Sequence, residues 1–163
     1  MKKHIIIING SGGVGKDTFV NLCSEFRKVL NISTIDKAKE AAKILVDHNG
    51  EKDEHYRKLL VDLKKLSIDY NDAPTKYICK KAEEFMSYDY ELMFIHIREA
   101  EEIDKARKLL PAKTLLITNP NIKLITSNDS DKKVNEYKYD YYIDNDGTIE
   151  DLKEKALEFI KNL

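Results

Sequence analysis

The sequence predicts an α/β fold in which five parallel strands form a sheet covered by helices on both faces. Three observations lead there. Short β-branched apolar runs alternate with longer segments whose apolar residues recur at helical spacing. The first run, Ile5–Ile8, is continuously apolar, as in strands buried on both faces. That run ends at a glycine and leads into an amphipathic segment, the opening of a parallel strand–helix–strand unit.

Residues 4–9 are the first strand. Residues 16–30 read as a helix whose Phe19, Leu22, Cys23, Phe26 and Leu30 face the sheet. Ile32–Asp36 is the second strand. Three helical patterns follow. The first is Lys37–Asp47, broken at Asn49-Gly50, and the second is Lys52–Ile68, with Tyr56, Leu59, Leu60 and Leu63 on its apolar side. The third starts after Asn71-Asp72, carries Pro74 in its first turn and runs to Ser87. Glu91–Ile97 is the third strand. Glu99–Leu110 is a helix with Ala100, Ile103, Ala106 and Leu110 inward, ended by Pro111. Thr114–Thr118 and Tyr139–Ile143 are strands four and five. The last helix spans Thr148–Leu163, with Thr148 and Asp151 at capping-box spacing and a stripe of Ile149, Leu152, Ala156, Phe159 and Leu163. Two segments interrupt the alternation: the three-helix block, and the polar, weakly periodic Asn119–Tyr137. Long connections of that kind in compact domains are functional or mobile.

A chain of 163 residues fits one domain with a real core. Charged residues at 35% and hydrophobic ones at 42% are those of an ordinary soluble globular protein. No apolar run nears the ~20 residues of a membrane span. Lys2-Lys3-His4 precedes only four isoleucines, too short an apolar region for a signal peptide, so the expected location is cytoplasmic. A net charge of −1 gives no electrostatic case for nucleic acid as a partner. Cys23 and Cys79 lie outside any metal spacing and read as buried free thiols, and the four histidines form no ligand cluster. The chain is expected to be a monomer or a homodimer.

The segment that carries chemistry is Gly10-Ser-Gly-Gly-Val-Gly-Lys-Asp-Thr18, which matches G-x-x-x-x-G-K at Gly10, Gly15 and Lys16. Glycines let the backbone curl so that successive N–H groups point at phosphate oxygens, and the following helix adds its positive end. Lys16 would bridge the β- and γ-phosphates of a nucleoside triphosphate. Gly10, Ser11, Gly12, Gly13, Val14, Gly15, Lys16, Asp17 and Thr18 are therefore the expected ATP-binding residues. Asp17 stands where a Ser or Thr ligating Mg²⁺ is usual, and a carboxylate can hold Mg²⁺ directly or through water, so Asp17 is the expected metal residue. Thr18 points elsewhere on the helix and substitutes poorly for that ligand.

The Gly-Lys-Asp-Thr ending resembles the deoxynucleoside monophosphate kinases and, more distantly, the animal-type phosphomevalonate kinases, within the P-loop nucleoside-monophosphate-kinase-like group. Ser33–Glu40, Lys52–Leu66, Ile95–Ile103 and Tyr139–Thr148 resemble further segments of that group in the same order. The resemblance implies a P-loop NTPase three-layer sandwich built from a core (1–36, 88–118, 138–163), an insert that binds the nucleoside monophosphate (37–87) and a short lid (119–137). It also implies ATP- and Mg²⁺-dependent phosphoryl transfer to a small phosphorylated acceptor, with a (deoxy)nucleoside monophosphate first in line. A nucleotide-binding regulatory or switch protein without kinase activity is the alternative, and a partner-driven ATPase ranks last.

Of the four arginines, Arg57 falls where the family pattern places a substrate-phosphate contact, with Val61, Lys64 and Lys65 on the same side of its helix. The bland reading is a solvated helix face. Arg98 ends the third strand, at the sheet edge where α/β proteins bind ligands, and would clamp a phosphate bidentately. The bland reading there is a salt bridge to Glu99–Glu102. Lys16, Arg57 and Arg98 are the expected catalytic residues. His96 replaces an aspartate that related kinases use near Mg²⁺, and histidine is a poor magnesium ligand. Asp36 reads equally as a helper at that metal or as a helix cap. Lys37 is a candidate acceptor contact. The lid has no arginine; its cations are Lys123, Lys132 and Lys133. Asn145, in the turn after the last strand, is expected beside the nucleotide.

Overall fold

The computed structural model describes residues 2–48, 51, 53–122 and 129–163, apart from the side chains of 129–132. Its elements are β1 (His4–Asn9), α1 (Lys16–Ser24), β2 (Val29–Ser33), α2 (Asp36–Val46), α3 (Glu54–Asn71), α4 (Ala73–Ser87), β3 (Leu92–His96), α5 (Ala100–Leu109), β4 (Ala112–Thr118), α6 (Asp129–Glu136), β5 (Tyr141–Asp144) and α7 (Ile149–Lys161). The five strands form one parallel sheet in the order β2-β3-β1-β4-β5.

Side chains of a strand alternate between faces, so the isoleucine run serves two cores at once. Ile5 and Ile7, with Met93, Ile95 and Leu116, pack under α4 (Ile78, Ala82, Phe85) and α5 (Ile103, Ala106). Ile6 and Ile8, with Phe94, Leu115 and Ile117, pack under α1 (Phe19, Val20, Leu22, Cys23) and α7 (Leu152, Ala156, Phe159, Ile160). Helix, sheet and helix make three layers, the α/β arrangement expected. The pair α2–α3 stands apart: Ala38, Ala42 and Leu60 form its own small cluster, with Ile35, Tyr56, Leu59 and Leu63 at the edges.

Several boundaries differ from expectation. Helix α1 stops at Ser24, not residue 30, and the N–H groups of Phe26 and Arg27 both turn back to the Cys23 carbonyl. Val29 and Leu30 instead open β2, paired with Leu92 and Met93, because strand pairing satisfies their backbone and buries them partly against the two cores. Strand β2 accordingly ends at Ser33, and Asp36 opens α2 rather than closing the strand. Asp53 caps α3 by accepting from the Tyr56 N–H at 2.7 Å. The Thr148–Asp151 capping box is present at the start of α7. Helix α6 lies within the segment expected to lack pattern; its buried apolar anchor is Val134, too little to show as periodicity. Cys23 is buried and its thiol is pushed up to about 12 by burial, whereas Cys79 is only half-buried; both are free. No helix among the described residues is long and apolar enough to cross a membrane.

Candidate functional site

Central strand β1 delivers its last residue, Asn9, to the C-terminal edge of the sheet, and residues 10–15 bridge it to α1. The glycine pattern follows from crowding. Gly10 has φ 150°, and a Cβ there would lie 2.5 Å from the Ile117 carbonyl oxygen. Gly15 has φ 103°, and a Cβ there would lie 2.5 Å from Asn145 Nδ2. Gly13 also has a positive φ, 81°. Side chains rarely adopt these angles, so the curl depends on glycine. Gly15 is the N-cap of α1 and brings no side chain to its first-turn N–H groups. Loop and helix together make the anion-binding geometry of a phosphate loop.

Lys16 lies across this loop, its ammonium donating to the carbonyl of Gly10 and, at 3.0 Å, to that of Ser11. Ser11 and Val14 are buried, while Gly12, Gly13, Asp17 and Thr18 are exposed. Asn145 does not stand free beside the loop. Its amide donates to the Val14 carbonyl at 2.9 Å, and its own N–H donates to Thr118 at 2.7 Å. It ties the turn after β5 to the phosphate loop.

Beside the loop, His96 Nε2 lies 2.9 Å from Asn31 Oδ1 and 3.9 Å from Asp17 Oδ1. With the Asn31 amide oxygen facing it, Nε2 is the donor in the tautomer that makes this bond. Burial holds the imidazole below its usual value despite the pull of Asp17, so His96 is neutral at pH 7. Among the described residues, no group of three or more His, Cys, Asp or Glu is arranged to hold a metal. Mg²⁺ does not need one: it keeps several waters and takes one or two carboxylates plus phosphate oxygens. The Asp17 carboxylate, 83% exposed on the first turn of α1, fits that role.

Asp36 is engaged structurally. Its carboxylate accepts from the Ser33 N–H at 2.8 Å and from the Tyr77 hydroxyl at 3.0 Å. Burial and then the neighbouring Asp36 charge push the Tyr77 phenol well up, so it stays a donor. Lys37 pairs with Glu40 at 3.0 Å and sits 5.5 Å from the centre of the Tyr77 ring.

Arg98 is exposed just beyond β3, and its carbonyl accepts from Asn9 Nδ2 at 3.0 Å. Arg57 is exposed near the start of α3. Two turns on, Lys64 makes a half-buried ion pair with Glu102 of α5 at 2.7 Å, and Ile68 lines a small cavity with Thr34, Thr75, Ile97 and Lys105. Lys64 thus ties α3 to α5. In the segment expected to be the lid, Ile122 would meet a Cβ on Gly13 at 3.6 Å. Lys123 and the Lys132 side chain lie outside the described residues; Lys133 is exposed.

Two residues that sequence reasoning passed over complete the site. Asn9 and Tyr139 are buried, and their side chains meet at 2.9 Å. The signal for Asn9 was present: an amide at the end of an isoleucine strand must find partners. Nothing in the sequence pointed to Tyr139, which lies 130 residues away.

Solved structures match the chain along its whole length. The Thermus thermophilus protein TT1252 is 20% identical with TM-score 0.57, covering 100% of this chain and 99% of its own. Shikimate kinase from Aquifex aeolicus is 14% identical with TM-score 0.52, covering 97% and 96%. APS kinase from Mycobacterium tuberculosis is 10% identical with TM-score 0.51, covering 98% of each. The chain has a kinase-like P-loop fold. At these identities the likeness is one of fold, and what those kinases act on belongs to them. No protein-family model matches the chain, and no curated protein matches it.

Proposed function

We propose that the protein transfers the γ-phosphoryl group of ATP to a small phosphorylated acceptor, with (deoxy)nucleoside monophosphates the first class to test. The observation that carries this reading is the conjunction at one sheet edge of the positive-φ glycine loop, the Lys16 ammonium across it, and Arg98 at the end of the adjacent strand. Phosphoryl transfer asks for positive charge and in-line placement more than for covalent chemistry by the protein.

In this reading the loop N–H groups and the N-terminal end of α1 hold the donor phosphates. Lys16 exchanges its loop carbonyls for β- and γ-phosphate oxygens. Asp17 would hold Mg²⁺, directly or through water, and the metal would neutralise phosphate charge. His96 stays off the metal, as a poor magnesium ligand: its Nε2 lies against Asn31 Oδ1, beside Asp17. Arg98 clamps the transferred group, and Arg57 meets the acceptor's phosphate from the insert. Asn145 acts on the nucleotide indirectly, by fixing the loop.

An ADP-release assay coupled to NADH oxidation, run over the nucleoside monophosphates, tests the proposal. Acceptor-dependent release that vanishes in Lys16→Ala supports it. No turnover on any of them, or on phosphomevalonate or dephospho-coenzyme A, overturns it. Tight ATP binding in that case would favour the nucleotide-binding switch.

A further inference from the structure

A single buried amide joins three parts of the site. Asn9 Oδ1 accepts from the Gly10 N–H at 2.9 Å, at the entry to the phosphate loop. One Nδ2 hydrogen goes to the Arg98 carbonyl at 3.0 Å, and the other to the Tyr139 hydroxyl at 2.9 Å. The Tyr139 hydroxyl passes its own hydrogen to the Val134 carbonyl in α6 at 2.8 Å. Every donor of the amide is used, and its acceptor too. The network also fixes which way the amide points, since a flip would set oxygen against the Arg98 carbonyl. Asn9 and Tyr139 are 3% and 4% exposed, so the network is shielded from bulk solvent. Tyr137 and Tyr142 pack edge-on against the Tyr139 ring at 5.1 and 5.9 Å and leave it one orientation.

We infer that Asn9 and Tyr139 are positioning residues that hold Arg98 at a fixed offset from the phosphate loop, with the Tyr139 hydroxyl linking that offset to the seat of α6. The inference rests on the proposed reading of Arg98 as a phosphate clamp. Neither side chain touches substrate. Arg98 follows β3 by two residues, and beyond the strand's last pairing its carbonyl is held by Asn9. Without that bond the backbone at Arg98 keeps only the 3.4 Å bond from the Ile97 N–H to the Ile8 carbonyl as its nearby tie to β1, although ATP can still bind at the loop.

Tyr139→Phe in the full chain is the test, because it keeps the ring and removes only the hydroxyl. Hydrogen exchange comes first and needs no acceptor. The expected result is exchange at least about tenfold faster at Gly10 and across residues 97–99, with α7 unchanged. A change confined to residues 134–142 overturns the inference. Asn9→Asp is the second variant. It keeps the acceptor for Gly10 and loses the donors, so 97–99 should speed up while Gly10 does not; parallel changes at both overturn the separate roles.

Kinetics then distinguish positioning from general support. With an acceptor turned over, Tyr139→Phe should lower kcat about tenfold and leave the KM for ATP within about twofold. In an Arg98→Ala background the same substitution should change kcat less than about twofold. Equal losses in both backgrounds overturn the coupling. Should the chain transfer to no acceptor, the proposed function fails while the exchange result still decides the pinning.

Discussion

Replacing Gly15 with alanine tests the phosphate loop where its geometry is tightest. The backbone there has φ 103°, and a Cβ would stand 2.5 Å from Asn145 Nδ2. Holding an L-residue in the left-handed region costs about 1–2 kcal/mol. The clash falls on the end of a side chain, so the Asn145 amide swings away and gives up its 2.9 Å bond to the Val14 carbonyl. That bond is worth about 1 kcal/mol. The total, roughly 2–3 kcal/mol, should lower the melting temperature by roughly 5–10 °C in a domain of this size. Asn145→Ala alone should cost about 1 kcal/mol. The double variant should cost little more than Gly15→Ala, because the shared bond is already lost, leaving a coupling of about 1 kcal/mol. Calorimetry on the four proteins reads all these terms. Additive costs would refute the steric account, as would a Gly15→Ala protein within about 0.5 kcal/mol of wild type.

Lys16→Ala should abolish the rise in melting temperature that ATP gives the wild type, which corresponds to about 2.7 kcal/mol at a hundredfold excess over Kd; an undiminished shift would remove Lys16 from the donor site. Glu102→Gln leaves Lys64 without its opposite charge across a contact whose side chains are only 13% and 22% exposed. Urea unfolding should show a loss of about 1–2 kcal/mol, between the values for exposed and buried pairs. Burial alone would raise the Asp140 carboxyl, but hydrogen bonds from the Thr114 N–H and hydroxyl, with the Arg107 charge, hold it below the usual carboxylate range. A depressed folded value contributes stability that is complete above the unfolded value of about 3.9 and is lost as pH falls through the folded one. Asp140→Asn should therefore lower the melting temperature at pH 7, with the gap to wild type closing below about pH 4; a gap independent of pH would assign the effect to packing.

The phosphate loop was legible because its signal is local: an apolar strand, three constrained glycines and an amphipathic helix lie within 24 residues of the start. The five-strand sheet followed from the same alternation. What sequence misread is where two local patterns compete. Phe26 and Leu30 continue the helical spacing of α1, yet Val29 and Leu30 pair with β3 instead. Asp36 reads as a strand end, but its carboxylate is needed by the Ser33 N–H and the Tyr77 hydroxyl. Lys64 reads equally as an acceptor contact or a solvated lysine until α5 brings Glu102 to it. Asn9 and Tyr139 form a unit only once β5 is laid two strands from β1. Pairings across 41, 38 and 130 residues leave no periodic trace in the chain.

The α2–α3 pair draws on three buried residues of its own, Ala38, Ala42 and Leu60, whereas the loop grows from the strand shared by both large cores. Helices held by so little can be shortened, lengthened or exchanged with small cost to the sheet. If this pair meets the acceptor as proposed, donor chemistry and acceptor choice occupy parts of the molecule that can diverge at different rates. A lineage built on this scaffold could then change what it phosphorylates by altering about thirty-five residues, while the triphosphate grip passes unaltered from one descendant to the next.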